Sequence, residues 1–283
     1  MSETVSEMMP ETASETMSET MSETMSSIAS ETAPRVLILT PVKDAARHLD
    51  RYVANIEMMD YPQASLSIGV LESDSRDGTM MSLERLLPRL QARGNRVTIV
   101  KRDFGFRLPE GVPRWALAFQ QMRRSVLARA RNHLLFAALR DEDWVLWLDV
   151  DVIDYPRDLI RRLLAFERDI VHPHCVLAPG GATFDRNGWS DHGAKLLQDL
   201  RGLPQPVRLD AVGASVLLVK ADRHRDGLVF PPFPYGRRSE TMRPHHPLWG
   251  SGEIESEGLG LLAHDMGVQC WGVADLEVLH APE

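Results

Sequence analysis

The chain has 283 residues, of which 43% are hydrophobic, and this is enough for one large α/β domain with a sizeable core. Seven glutamates in the first 34 residues account for most of the net charge of −8, so the rest of the chain carries a net charge of about −1. This charge gives no sign of the basic face that binding of a nucleic acid requires. The two cysteines, Cys175 and Cys270, form no C-x-x-C pair, which argues against a disulfide framework and a thiolate zinc site.

The first residues are a low-complexity segment in which Ser-Glu-Thr-Met occurs three times in succession from Ser14 to Met25. Such a polar, anionic segment has too little apolar surface to offset the entropy of ordering. We predict a disordered tail over residues 1–33 and a folded domain over residues 34–283. The chain has no run of about 18 apolar residues, and its N-terminus lacks the basic and apolar parts of a signal peptide. We therefore expect no transmembrane segment and a cytoplasmic location.

From Arg35 onward, short apolar runs alternate with segments whose apolar residues recur at helical spacing, which is typical of parallel βαβ units. Irregular structure is expected where Gly and Pro accumulate, over residues 102–118, 175–208 and 230–235. The predicted strands span residues 36–40, 66–71, 96–100, 144–148, 170–171 and 215–219, with one or two more within 268–280. The predicted helices span about residues 46–59, 83–90, 120–140, 159–164 and 253–266. These elements predict an α/β fold with a Rossmann-like, mostly parallel sheet flanked by helices.

Two carboxylates, Asp149 and Asp151, directly follow the apolar strand that begins at Trp144. Two anions at the rim of an apolar sheet repel each other and lose hydration, and a divalent cation would relieve both costs. Mg²⁺ and Mn²⁺ take oxygen ligands and bridge protein carboxylates to substrate phosphates. The pair therefore indicates a metal site, although both residues would equally serve as helix caps or solvated loop acids.

Two other predicted strands also end in polar residues, at Pro41–Asp44 and Ser73–Asp77. The carboxyl ends of neighbouring parallel strands meet at one rim of a sheet, which is where ligands bind in this class of fold. A nucleotide site next to the metal site is thus expected. No P-loop sequence is present, and Gly258–Ala263, which imitates a dinucleotide fingerprint, lies inside a predicted helix.

Long sequence blocks from Val36 to His280 carry a family resemblance. The blocks cover residues 37–43, 73–79, 124–132, 144–156, 213–234 and 255–258. In these blocks the chain resembles the fungal mannan-polymerase mannosyltransferases, glycosyltransferase family 62, which have a GT-A fold and use GDP-mannose with Mn²⁺. The resemblance implies a metal-dependent retaining glycosyltransferase that moves a hexose, mannose from GDP-mannose, to a glycan or glycoside acceptor.

The resemblance also implies roles for individual residues. Mn²⁺, or Mg²⁺ in its place, would be bound by Asp149, Asp151 and His280. The donor nucleotide would contact Pro41, Val42, Asp74, Val150, Arg129 and Asn132. The implied catalytic residues are Glu255 and Glu257, which would face the sugar and the acceptor, and Arg129, which would assist departure of the diphosphate.

Several of these residues have structural alternatives. Asp74 and Ser75 would also serve as caps of the following helix, and His280 as an ordinary histidine of an edge strand. Glu255 and Glu257 are in any case favourable near a helix N-terminus. At the level of the whole protein, an enzyme specific for UDP-sugars would keep every motif, and a non-catalytic glycan-binding subunit would not need the aspartate pair.

Overall fold

The computed structural model describes residues 33–113, 116–246 and 250–282. Apart from Ala33, the predicted disordered tail lies outside these residues and stays a prediction. The strands are β1 (Val36–Val42), β2 (Leu66–Glu72), β3 (Arg96–Lys101), β4 (Trp144–Leu148), β5 (Val152–Asp154), β6 (Ile170–Val176), β7 (Trp189–Ser190), β8 (Lys195–Leu196), β9 (Val207–Leu209), β10 (Val216–Lys220) and β11 (Cys270–His280). The helices are α1 (Ala46–Glu57), α2 (Thr79–Arg93), α3 (Leu117–Ala138), α4 (Leu159–Leu164), α5 (Ala221–Arg225) and α6 (Glu255–Asp265).

All strands except β7 and β8 belong to one sheet, with the order β3-β2-β1-β4-β10-β6-β11-β5 and β9 paired to β11. The strands from β3 to β4 are parallel, as are β6 and β11, whereas β10 runs antiparallel to both of its neighbours. The predicted α/β fold with a mostly parallel sheet is confirmed. Among the described residues, none of the helices combines the length and apolar character that a membrane crossing requires.

The apolar core follows from the alternation of side chains along the strands. Leu37 and Leu39 of β1 pack on one face with Ala128 and Leu134 of α3, and all four are buried. Successive residues of a strand point to opposite faces, so Val36 and Ile38 are buried on the other face. Helix α3 lies against β1, β2 and β3 and also contacts α6. This helix therefore connects the sheet to the last helix of the chain.

One rim of the sheet collects the carboxyl ends of β1, β2, β3, β4, β6 and β11. Val42 of β1 pairs with Glu72 of β2, and β4 runs parallel to β1, so these strands end side by side. Strands β6 and β11 also end there, since β10 is antiparallel to both β4 and β6, and β11 is parallel to β6. For the same reason β10 begins at this rim. The predicted convergence of polar strand ends is present.

Two predicted elements differ from the structure, and the number of C-terminal strands, predicted as one or two, is one. The strand predicted over residues 170–171 continues to Val176, because the apolar and histidine side chains of β6 are all buried between β10 and β11. The segment 175–208, which was predicted to be irregular, contains the antiparallel pair β7 and β8 and the start of β9. The C-terminus forms one long strand whose pairing with β6 shifts register between Val273 and Glu277, which explains the ambiguous sequence pattern there.

Gly260 allows α6 to approach the segment before β10 at backbone distance. A Cβ atom at this position would lie 2.6 Å from the Cα of Ala211 and 3.0 Å from the nitrogen of Val212. Overpacking costs about 1–3 kcal/mol and outweighs the ~1 kcal/mol that alanine contributes within a helix. We expect Gly260→Ala to lower the free energy of unfolding measured by urea denaturation.

The matched control is Gly94→Ala, where a Cβ would meet only the side chain of Ile68 and the carbonyl oxygen of Leu66, at 3.1 Å or more, and where φ is −105°. This control should change stability by about 0.5 kcal/mol or less. Equal effects of the two substitutions would show that the contact between α6 and Ala211 is not tight.

Candidate active site

A cleft of about 440 Å³ opens at the rim where β1, β2 and β4 end. Its lining includes six of the residues predicted for the donor and the metal, namely Pro41, Val42, Asp74, Asp149, Val150 and Asp151. Five basic side chains also line it: Lys43, Arg47, Arg76, Arg107 and Arg123. Four aspartates, Asp44, Asp74, Asp149 and Asp151, line the same cleft. The basic side chains can offset the charge of an anionic ligand such as a nucleoside diphosphate.

Asp74 orders one wall of this first cleft. Its carboxylate accepts hydrogen bonds from the backbone N–H groups of Phe104 (2.9 Å) and Gly105 (3.1 Å), and its own backbone has a left-handed φ of 54°. The loop after β3 is thereby held where Phe106 lines the cleft. The alternative that Asp74 caps α2 is wrong, because Asp77 accepts the hydrogen bond from the N–H of Thr79 at the start of that helix (3.0 Å).

A second cleft of about 410 Å³ lies on the other side of Asp149. It is lined by residues of α3, of the segment after β6, of the start of β10 and of the start of α6, together with His280. The two clefts share Arg123, Leu127 and Asp149 in their linings. A ligand could therefore extend from the basic first cleft past the aspartates into the second.

Arg131 joins the aspartate pair to the last helix. Its guanidinium is 2.9 Å from Asp149 and 2.8 Å from Glu255, and the side chain is only 2% exposed. The rings of Trp147 and Phe230 lie 5.4 and 5.3 Å from the guanidinium carbon. Burial raises the pKa of Asp149 to about 6, although the charge of Arg131 opposes that shift. The arginine thus reduces the cost of a carboxylate in a poorly solvated position.

Asp151 and His280 form a second pair at the same rim, with 3.1 Å between Oδ1 of Asp151 and Nε2 of the imidazole. The other ring nitrogen, Nδ1, lies 2.6 Å from the carbonyl oxygen of Ala281, which can only accept, so Nδ1 carries a proton. Burial by itself would lower the pKa of His280, but the hydrogen bond and charge of Asp151, the hydrogen bond to Ala281 and the charge of Asp149 together outweigh burial and raise that pKa. In the neutral imidazole, Nε2 presents its lone pair beside the carboxylate oxygen.

This arrangement fits a divalent cation. A metal-binding histidine commonly donates its second N–H to a backbone carbonyl, as His280 does to Ala281. Two carboxylates and one imidazole are a donor set that Mn²⁺ accepts more readily than Mg²⁺ does. An oxygen of Asp149, however, is directed to Arg131. Within the described ranges, the donor atoms that lie within 4.8 Å of one another belong to a different group, formed by His246, Glu253 and Glu257.

The group formed by His246, Glu253 and Glu257 belongs to a buried ion-pair network. Arg243 donates to both carboxylates of Glu253 and Glu257, and Arg124 donates to Glu257 at 2.5 Å. The carboxylate charges of Glu253 and Glu257 are already balanced by two arginines, so the network requires no metal ion to compensate them.

Arg129 and Asn132 are not placed where the family resemblance implied. Arg129 is exposed, and its guanidinium lies over the ring of Phe104 at 5.2 Å. Asn132 bonds through its side chain to both the N–H (2.9 Å) and the carbonyl (2.8 Å) of Phe230. Neither residue lines either cleft. The arginines of α3 that line a cleft are Arg123, Arg124 and Arg131, and Arg131 is the one paired with Asp149.

The sequence pattern carried a signal for this correction. Arg124 and Arg131 share one helix face with Ala128 and Leu135, which are fully buried. Arginine at such core-facing positions requires anionic partners, and here they are Glu257 for Arg124, and Asp149 and Glu255 for Arg131.

The two predicted catalytic glutamates both lie in the first turn of α6, but their side chains have different surroundings. Glu255 lines the second cleft, and its backbone has a left-handed φ of 63°, which is costly for a residue other than glycine. Glu257 is buried behind it, where it accepts hydrogen bonds from Trp189 (2.9 Å), Arg124 and Arg243. Of the two, only Glu255 is positioned to meet a ligand in the described clefts.

The Anp1 family model matches residues 14–202. The chain belongs to the Anp1 family. The Anp1-family chain is 28% identical over 292 residues to the mannan polymerase II complex anp1 subunit of Schizosaccharomyces pombe, with 88% of this chain and 64% of that protein covered. It is 29% identical to the mannan polymerase complex subunit mnn9 of the same organism, with 88% and 80% covered. The chain therefore spans less than two thirds of the first of these relatives.

Solved structures show that this Anp1-family chain has the GT-A glycosyltransferase fold. The mannosyltransferase PcManGT from Pyrobaculum calidifontis, solved in complex with GDP-Man and Mn²⁺, matches with a TM-score of 0.55 at 17% identity and covers 90% of this chain and 59% of that one. GalNAc-T7 with UDP, GalNAc and Mn²⁺ matches with a TM-score of 0.53 at 13% identity, covering 89% and 45%. The predicted fold and family are both confirmed.

Proposed function

We propose that this chain is a metal-dependent retaining glycosyltransferase that moves mannose from GDP-mannose to a glycan or glycoside acceptor. The observation that carries the proposal is the position of the aspartate pair and His280 between two clefts, one of which is lined by five basic residues. This is the arrangement expected when a diphosphate and a sugar acceptor must meet at a divalent cation.

The proposed donor occupies the first cleft. Lys43 and Arg107 are among the cations that would offset the charge of the diphosphate, and the apolar part of the lining, including Val42 and Phe106, would contact the nucleoside. The names of the relatives as mannan polymerase subunits, and the GDP-Man bound to one structural neighbour, support mannose and guanine over other sugars and bases.

Breaking the bond between sugar and diphosphate leaves negative charge on the β-phosphate and positive charge on the sugar ring. A divalent cation bound by Asp149, Asp151 and His280 would supply the charge that stabilises the departing phosphate. Arg123 borders both clefts and would lie beside that phosphate. Glu255 lies in the second cleft and would stabilise the cationic sugar. Arg131 pairs with both Asp149 and Glu255 and offsets part of their combined charge.

The proposed acceptor occupies the second cleft. Its lining combines Asn187, Ser215 and Gln120, which are suited to hydrogen bonding with sugar hydroxyls, with the ring of Phe184. The relatives named as subunits of mannan polymerase complexes support a further proposal, that this chain acts together with partner subunits.

Donor hydrolysis tests the proposal. We expect GDP-mannose to be hydrolysed faster than GDP-glucose or UDP-glucose, and only when Mn²⁺ or Mg²⁺ is present. The measurement is release of the nucleoside diphosphate, with an EDTA-treated sample as the control for metal dependence. Preference for the UDP-sugar would support the alternative donor. Neither hydrolysis nor metal-dependent binding of any nucleotide would support a non-catalytic glycan-binding subunit instead.

A further inference from the structure

The ring of Phe184 stacks on the imidazole of His280. Their centroids are 3.9 Å apart and the ring planes are inclined by 28°. The imidazole is thereby restrained on its face by Phe184, at Nδ1 by the carbonyl of Ala281 and at Nε2 by Asp151. The two hydrogen-bonding groups define where the ring edges lie, and Phe184 is the group that opposes rotation of the ring out of that plane.

Phe184 is itself held firmly in the segment that follows β6. Its N–H donates to the carbonyl of Cys175 at 2.8 Å. The preceding residue, Thr183, is buried, and its hydroxyl lies 2.8 Å from Nε2 of His174 and accepts from the N–H of Gln198 at 3.1 Å. A stacking partner fixed in this way can orient the imidazole instead of following it.

The residue after Phe184 connects the same segment to the other end of the proposed metal site. The carboxylate of Asp185 accepts from the N–H (3.0 Å) and the hydroxyl (2.9 Å) of Ser215. The carbonyl of Ser215 in turn accepts from the N–H of Asp149 at 2.8 Å. Gly213 has no space for a side chain, because a Cβ atom there would overlap the Asp185 carboxylate. The segment therefore contacts His280 directly and is linked to the backbone of Asp149 through Ser215.

We propose that Phe184 is a positioning residue, which orients the imidazole of His280 for binding of the divalent cation, and that the segment Thr183–Asp185 is the support that holds it. The proposal rests on the metal site of the proposed function. A histidine that is already fixed in its binding orientation loses less rotational freedom when the ion binds, so the affinity is higher. The stack acts through His280 and requires no contact between Phe184 and the ion.

The test is a titration of the metal-free protein with Mn²⁺ in which free Mn²⁺ is followed by electron paramagnetic resonance, without nucleotide or sugar. We expect Phe184→Leu to weaken Mn²⁺ binding by about 10-fold, as is usual when a group that orients a metal ligand is lost. Phe184→Tyr keeps the flat ring and should bind Mn²⁺ with nearly the wild-type affinity. His280→Ala defines the loss caused by removing the ligand itself.

The matched control is Phe136→Leu, the same substitution at an exposed phenylalanine of α3, which should leave Mn²⁺ binding unchanged. Circular dichroism melting of each variant verifies that the titrations are made on folded protein. If Phe184→Leu does not fold, Phe184→Met, which keeps the volume but not the ring, replaces it in the comparison.

The outcomes separate this proposal from the proposed function. Wild-type affinity in Phe184→Leu, together with lost affinity in His280→Ala, would overturn the positioning role and leave the metal site intact. Equal losses in Phe184→Leu and Phe184→Tyr would also overturn it, because the ring would then not be the operative feature. Absence of Mn²⁺ binding in the wild-type protein would overturn both the metal site and the role of Phe184.

Discussion

Asp151→Asn is expected to weaken Mn²⁺ binding and to lower kcat by about 100-fold or more, beyond the roughly 10- to 100-fold loss that follows removal of a group which only orients a ligand. The substitution removes one anionic ligand and leaves an amide of the same shape beside His280. GDP binding, measured by isothermal titration calorimetry with and without Mn²⁺, should lose its metal dependence. The far-ultraviolet circular dichroism should not change, because the side chain lies at the rim and not in the apolar core.

The matched control for this substitution is Asp154→Asn, which removes the same charge from an exposed residue three positions later. It should retain wild-type kcat and metal affinity. If the Asp151→Asn protein bound GDP more tightly with Mn²⁺ than without it, to the same extent as the wild type, Asp151 would not be a ligand. The first cleft would then have to bind nucleotide by its basic residues alone.

Arg131→Ala is expected to destabilise the fold by about 3–5 kcal/mol, the usual cost of removing one partner from a buried ion pair. Asp149 and Glu255 would remain in a poorly solvated position without the cation that lies 2.9 and 2.8 Å away from them. The rings of Trp147 and Phe230 would in addition border a cavity. Urea denaturation followed by tryptophan fluorescence measures the change in the free energy of unfolding.

Arg129→Ala is the matched control for Arg131→Ala, since both arginines lie on α3 and only one is buried. Loss of an exposed stack on Phe104 should cost about 0.5–1 kcal/mol. Arg131→Lys should fall between the two, because the charge is kept but the planar group that spans both carboxylates is lost. Similar stabilities of the Arg131→Ala and Arg129→Ala proteins would mean that the buried ion pairs make no net contribution.

The rim of the sheet could be predicted from sequence because its signals are local. An apolar strand followed by Asp149 and Asp151 is visible within eight residues, and parallel βαβ order then brings the end of β1 alongside. The position of His280 is a different case. His280 is about 130 residues from the aspartates in sequence, and the pairing of β11 with β5 and β6 brings it to them. No local sequence pattern reveals this pairing, so the prediction of His280 came from the family resemblance.

The differences between the predicted and the observed site concern the direction of side chains on helices. The resemblance implies that Arg129 contacts the donor, but a shift of two residues along α3 turns a side chain by more than half of a circle, from the exposed Arg129 to the buried Arg131. Likewise Glu255 and Glu257 are two apart, and only the first lines a cleft. The role of Phe184 was not foreseen, because nothing in its sequence surroundings distinguishes a stacking phenylalanine from an ordinary core residue.

The two clefts share few lining residues, so the lining of one can change without a change in the other. Every lining residue of the first cleft lies between Pro41 and Asp151, and the second cleft adds residues from Phe184 onward. Only Arg123, Leu127 and Asp149 belong to both linings. Exchange of the segments after β6 between relatives would alter the second cleft and leave the lining of the first intact. Under the proposed function, chimeric proteins made in this way would keep the donor and differ in the acceptor.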